Sequence, residues 1–143
     1  MANEILNEIS ENVRNGRAPQ VKEQVQQAVD DGVDIQDILN DGLVNGMSLI
    51  GEKFKNNEVY VPEVLIAARA MHAGMDIVKP KLAESGIKAK GTAVVGTVKG
   101  DLHDIGKNLV CMMLEGAGFD VVDVGVNVEP DTFVSEIQKN DAD

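Results

Sequence analysis

Along the first half of the chain, apolar residues recur every three or four positions, the spacing of one face of an α-helix. Ile5, Leu6, Ile9 and Val13 form the first such stripe, and Gly16 ends it. Val21, Val25, Ala28 and Val29 form the second, entered past Pro19 and closed by Gly32. Proline is tolerated in a first helical turn, and glycine commonly follows a last one. Asp34 stands as an N-cap for a third helix, with Asp37 and Asp41 near the positive end of its dipole. The stripe there is Ile35, Ile38, Leu39, Leu43, Met47, Ile50 and Phe54, as in one continuous helix. Gly42 and Gly46 each weaken that helix by about 1 kcal/mol relative to alanine. They lie one turn apart on a single face, where they admit close approach of another helix. After the loop KNNEVYV, Pro62 leads a fourth helix carrying Val64, Leu65, Ala68, Met71, Met75 and Val78. Four amphipathic helices with short links, over residues 1–79, predict a bundle.

The pattern then changes. KPKLAESGIKAKG is rich in lysine, glycine and small residues, and 80–91 reads as a linker. TAVVGTV (92–98) is a short β-branched run, the mark of a buried parallel strand. A glycine-bearing loop follows, then a helix from Ile105 to Glu115 closed by Gly116 and Gly118. FDVVDVG (119–125) reads as a second strand, and Pro130 opens a helix over DTFVSEIQKN. The order β-α-β-α predicts a parallel sheet covered by helices over 92–143. Two parallel strands make a marginal sheet, and NDAD stands where a third would begin. The expectation is an incomplete domain, in a chain truncated from a longer protein.

Charge narrows the classes of partner. With 24 acidic against 13 basic residues the net charge is −11, which excludes a nucleic-acid partner and disfavours an anionic membrane surface. No apolar run approaches the ~20 residues that span a bilayer. The N-terminus, MANEILNEISENV, has neither the basic nor the apolar region of a signal peptide, so the expected compartment is the cytoplasm. The single cysteine, Cys111, precludes an intrachain disulfide and reads as a small core hydrophobe. His72, at the edge of the fourth stripe, reads as a boundary residue.

Chemistry concentrates in GTVKGDLHDIGKN, residues 96–108. This segment follows a strand and opens a helix, at the carboxyl end of the sheet where open α/β folds bind ligands. Gly96, Gly100 and Gly106 permit tight turns and close approach of a ligand to the backbone. Asp101 and His103 flank Leu102. A carboxylate holding one imidazole nitrogen leaves the other to ligate a metal. Neither phosphate-binding pattern, GxxxxGK[ST] or GxGxxG, is present, and His72 and Cys111 are not spaced to complete a zinc site. A lone histidine near carboxylates is more often a surface ion pair than a ligand. These residues define a ligand site, with a metal as one of its open occupants.

D-L-H-D-I-G at 101–106, preceded by GTVKG and followed by KN, resembles the DxHxxG motif of corrinoid (cobalamin-binding) proteins and of cobalamin-dependent methionine synthase. GEKFKNNEVYVPEVLIAARAM (51–71) is similar to the helical cap module preceding the cobalamin domain in that family. The resemblance implies a fold of class α + α/β: a four-helix bundle cap, then a partial Rossmann-like or flavodoxin-like parallel α/β domain. It implies that His103 is the lower axial cobalt ligand, replacing the cofactor's own benzimidazole base, and that Asp101 hydrogen-bonds His103. Leu102, Asp104, Ile105 and Gly106 would contact the corrin from the loop. Tyr60, Val61, Leu65 and Met71 would belong to a lid over the upper face, with 80–91 as hinge. The family's later serine and Gly-Gly segment have no counterpart within these residues. The implied function is a carrier that shuttles a methyl group from a donor-specific methyltransferase to an acceptor methyltransferase using tetrahydrofolate or a thiol, with a reductive activator as a further partner. An adenosylcobalamin mutase subunit and a cobalamin-dependent sensor are alternatives that would share the His103 site.

Overall fold

Leu6, Ile9 and Val13 turn inward on the first helix, α1 (Ala2–Arg14), and begin the core of a helical unit. The computed structural model describes residues 2–86 and 88–143, and its internal contacts divide the chain into one unit ending at residue 88 and another starting at 89. In the first unit, α2 (Ala18–Asp30) buries Val21, Val25 and Ala28, while Val29 sits half-buried at the edge of its stripe. Gly16 and Gly32, past the ends of α1 and α2, adopt φ of 71° and 79°, a left-handed conformation that favours glycine. Asp34 caps the next helix as expected, its carboxylate accepting from the Gln36 N–H at 2.8 Å. Helix α1 packs on α2 and on the helix over Asn45–Lys55, and α2 packs on the helix over Val61–Ser85.

The third stripe departs from the expected single α-helix. A short α3 (Ile35–Asp37) passes directly into a π-helical segment, Ile38–Val44, and then into α4 (Asn45–Lys55). The Asn45 N–H reaches the Asn40 carbonyl, five residues back instead of four. The wider turn buries Gly42, Leu43 and Val44 in succession. Val44 lies off the stripe that a 3.6-residue period selects, so periodicity alone misses it. The two glycines behave as their spacing suggested. A Cβ on Gly46 would stand 2.6 Å from the Ser10 carbonyl oxygen and 2.7 Å from Val13 Cβ, and one on Gly42 would stand 3.1 Å from Ile9 Cγ2. Close contact between α1 and the third helix rests on these missing side chains. Beside them the Asn45 amide donates to Ser10 Oγ at 2.8 Å.

Helix α5 (Val61–Ser85) buries Val64, Ala68, Met71 and Val78 and runs six residues into the segment read as a linker. Pro80 lies inside it. Proline removes one backbone donor, but Asp76 and Pro80 are exposed, so water reaches the carbonyl left without a bond. The helix ends instead at Gly86, with φ 72°.

The second unit is built on two parallel strands, β1 (Thr92–Val95) and β2 (Asp120–Asp123), paired from Thr92↔Asp120 to Val95↔Asp123. Helix α6 (Ile105–Gly116) packs on β2, and α7 (Pro130–Asn140) packs on β1. Contrary to the expectation of a buried strand, every residue of β1 is only half-buried. On the edge of β1 away from β2, the Asp143 N–H donates to the Thr92 carbonyl and its carboxylate accepts the Thr92 N–H, both at 2.9 Å. Cys111 on α6 is buried, as its apolar neighbours predicted. Gly96 ends β1 against Val124 and Phe133; a Cβ there would meet Val124 Cγ2 at 2.5 Å.

Gly46→Ala should destabilise the helical unit by about 1–3 kcal/mol through overpacking, because the atom in the way is a backbone oxygen that cannot swing aside. Gly42→Ala should cost less, since Ile9 can shift by a few tenths of an ångström. Urea unfolding followed by helical circular dichroism measures both.

Candidate functional site

The segment from Gly96 to Asp104 leaves β1 without leaving its neighbour. The Thr97 N–H donates to the Gly125 carbonyl and the Val128 N–H to the Thr97 carbonyl, each at 2.9 Å, and Val98 bridges Val128 in parallel. The chain then turns: the Asp101 N–H bonds back to the Val98 carbonyl at 3.1 Å, with Gly100 at φ 86° in the left-handed position such a turn requires.

Asp101 Oδ1 accepts the His103 backbone N–H at 2.9 Å and also contacts His103 Nδ1 at 2.5 Å. Thr97 Oγ1 donates to the His103 carbonyl at 2.7 Å. The backbone of His103 is therefore held at both its N–H and its C=O, and its ring is held through Nδ1. An ionised carboxylate accepts only, so it favours the tautomer with the proton on Nδ1 and a lone pair on Nε2. The His103 side chain is 97 % exposed, so that lone pair faces open space. Two hydrogen bonds from His103, the backbone one contributing most and the ring one next, hold the Asp101 carboxyl below its ordinary range.

Around the imidazole the loop presents apolar surface. Leu102 is 73 % exposed, and Val98 and Ile105 are exposed as well. Apart from the adjoining backbone, no described residue comes within 4 Å of where a Cβ on Gly100 or Gly106 would stand. The three loop glycines thus serve different ends: packing at Gly96, backbone conformation at Gly100 and open approach at Gly106. Asp104 precedes α6, and its carbonyl accepts the Asn108 N–H at 2.8 Å.

Three participants escaped the sequence reading. Thr97 read only as a β-branched strand residue, and nothing in its spacing announced the bond to His103. Lys107 and Asp123 lie far apart in sequence, yet Lys107 Nζ reaches Asp123 Oδ2 at 2.6 Å and Asn108 Oδ1 at 2.7 Å, with the lysine side chain 8 % exposed. Asp123 Oδ1 also accepts the Gly125 N–H at 2.9 Å. Lys107, with that N–H second, holds the Asp123 carboxyl below its usual range. The pair fastens the first turn of α6 to the end of β2. On the next turn, burial first and the Asp123 charge second push the Cys111 thiol up, away from reactivity.

The residues expected in a lid divide by burial. Tyr60, just before α5, is 75 % exposed, Leu65 is exposed and Val61 half-buried. Met71, at 2 % exposure, packs in the bundle core. His72, beside it on α5, is exposed. Among the described residues no three His, Cys, Asp or Glu side chains gather to hold a metal ion, and no helix is long and apolar enough to cross a membrane.

Comparison with known proteins gives the same assignment for both units. Residues 5–79 and residues 91–143 each match a model described as a B12 binding domain. The chain is 37% identical over 142 residues to the corrinoid protein DSY3155 of Desulfitobacterium hafniense, covering 97% of this chain and 66% of that protein. It is 43% identical over 110 residues to trimethylamine corrinoid protein 1 of Methanosarcina mazei, covering 76% of this chain and 51% of that one. Among solved structures, the methanol:cobalamin methyltransferase complex MtaBC of Methanosarcina barkeri superimposes with a TM-score of 0.87 at 33% identity, over 97% of this chain and 54% of the matched chain. The chain thus spans roughly half to two thirds of the length of these relatives. With its helical unit and its α/β unit each matched in this way, the chain belongs to the B12-binding family.

Proposed function

We propose that this chain carries a methyl group on bound cobalamin between a substrate-specific methyltransferase and an acceptor methyltransferase, with His103 as the lower axial ligand of cobalt. The carrying observation is the Asp101–His103 pair, which leaves one imidazole nitrogen unengaged on an almost fully exposed ring. The surroundings fit a corrin: Leu102 and Ile105 offer apolar contact, and Gly106 leaves the backbone open to approach. When bound, cobalamin supplies a cobalt centre able to take up and give up a methyl group. The names of the relatives, with their trimethylamine and methanol systems, support a methyltransferase as partner. Donor choice then lies with that partner, tetrahydrofolate or a thiol is the acceptor, and a reductive activator is a further partner of this reading.

Asp101 orients the imidazole and fixes which nitrogen carries the proton. Thr97 holds the His103 carbonyl, so the ring cannot swing with its backbone. Lys107 and Asp123 keep the start of α6 against the end of β2, the strand paired with the one from which the loop departs. In this proposal the lid role falls to Tyr60, Val61 and Leu65, which lie outside the bundle core.

The Asp101 carboxyl is lowered in the folded state, so the stability it contributes is present above its ordinary value of 3.8 and lost as pH falls through the lowered one. Between neutrality and pH 5 the Asp101 carboxyl should therefore stay ionised. Carboxyl-carbon NMR should give Asp101 a midpoint below 3.8, and His103→Ala should return it only partway, because the backbone N–H at position 103 survives the substitution. The cobalamin-loaded chain tests the ligand itself. Protein-nitrogen hyperfine coupling in the electron spin resonance of Co(II) should vanish in His103→Ala; its persistence would rule out His103. Asp101→Asn should weaken cobalamin binding roughly 10–100-fold, as loss of a partner behind a metal ligand generally does, and an unchanged titration would reduce Asp101 to a turn-forming residue.

A further inference from the structure

Besides the backbone bonds that Gly125 and Val128 make to Thr97, one side chain on the loop from β2 to α7 grips the histidine loop. Asn127 Oδ1 accepts the Gly100 N–H at 2.8 Å, and the Asn127 backbone N–H donates to the Asp101 carbonyl at 2.9 Å. A single residue therefore holds both ends of the Gly100–Asp101 pair, the stretch from which the carboxylate behind His103 emerges. Its own backbone is unusual: φ is 53°, a left-handed conformation that asparagine tolerates better than other residues with a side chain.

Neighbouring contacts run in the same direction. Gly125 and Val128 bond to Thr97 on either side of Asn127. On the rim, Lys99 Nζ pairs with Glu129 Oε1 at 3.2 Å. That exposed pair adds little by itself, whereas the Asn127 bonds fix backbone atoms immediately beside Asp101.

We infer that Asn127 is a positioning residue: by holding Gly100 N–H and Asp101 C=O it sets the height and direction at which the Asp101–His103 pair faces the cofactor. This rests on the reading of His103 as the cobalt ligand. Asn127 touches neither His103 nor, in this inference, the cofactor. It acts through the peptide planes around Gly100, and the grip exists before any ligand arrives. The tight turn supplies the loop's shape, and Asn127 ties that shape to the sheet.

Two substitutions separate the side chain from the backbone conformation. Asn127→Gly keeps the left-handed φ without cost and deletes the acceptor, while Asn127→Asp keeps both. In the unmodified, cobalamin-free chain the Gly100 amide should exchange its hydrogen well below the rate of an unstructured chain. Asn127→Gly should speed that exchange roughly two- to tenfold, the range for losing one neutral hydrogen bond, with the unfolding midpoint of the helical unit unmoved. The same variant should weaken cobalamin binding by a similar factor and diminish the protein-nitrogen coupling to Co(II), and Asn127→Asp should restore both. An unprotected Gly100 amide in the unmodified chain overturns the inference, as does an Asn127→Gly variant that binds and ligates like the original. A different failure marks the reading beneath it: cobalamin bound without any protein-nitrogen coupling in the unmodified chain removes His103 as ligand, while the exchange data still judge the grip of Asn127.

Discussion

An imidazole standing almost wholly in solvent has no packing to fix its orientation, and in this chain that task falls to one carboxylate. Asp101 Oδ1 takes both the backbone N–H and the ring Nδ1 of His103. A side chain that bonds its own loop two residues on cannot rotate without breaking those bonds, so the ring is fixed by local hydrogen bonding and needs no surrounding pocket. The full exposure of the imidazole and its fixed direction are thereby compatible. A buried histidine would be just as rigid, but it would have no face to offer a large flat ligand.

The α/β unit carries this loop on little sheet. Its two strands are short, β1 half-buried throughout and β2 exposed at both ends, so rigidity at their carboxyl ends comes from other sources. Gly96 lets Val124 and Phe133 close on the end of β1, and the Lys107–Asp123 pair locks α6 to the end of β2. A buried lysine is costly unless its charge is matched. Here one Asp123 oxygen and the Asn108 side chain take up Nζ, while the second Asp123 oxygen takes a backbone N–H. The charged pair thus sits within a satisfied set of hydrogen bonds and sets the angle at which α6 leaves the site.

Much of this was legible from residue order because the physics involved is local. The core residues Leu6, Ile9, Val13, Val21 and Val25 follow from helical spacing alone, and close approach of some helix to the third follows from Gly42 and Gly46 one turn apart, though the spacing does not name α1 as that helix. The pairing of Asp101 with His103 is also local, two positions along a turning chain. What periodicity could not reach was anything requiring partners distant in sequence: Thr97 on the His103 carbonyl, Lys107 on Asp123, Asn127 on Gly100. Met71 carried two readings. Its place on an apolar stripe pointed to the core, while its place in a family-like segment pointed to a lid, and burial favours the stripe. The last turns of α5 went unread for a compositional reason: lysine, glycine and small residues over 80–91 suggested a linker, yet the helix continues to Ser85.

The π-helical turn in the third helix has a consequence for the length of the gene product. A segment with five-residue hydrogen bonds is an α-helix that has taken in one surplus residue while keeping the faces on either side in phase. Elsewhere in a helix, removing one residue rotates everything beyond it by about 100° and turns the buried stripe to water. Between Ile38 and Val44 the same deletion would remove the surplus and leave Met47 and Ile50 aimed where they were. In an otherwise length-sensitive bundle, this is the place where the reading frame of the helix has slack.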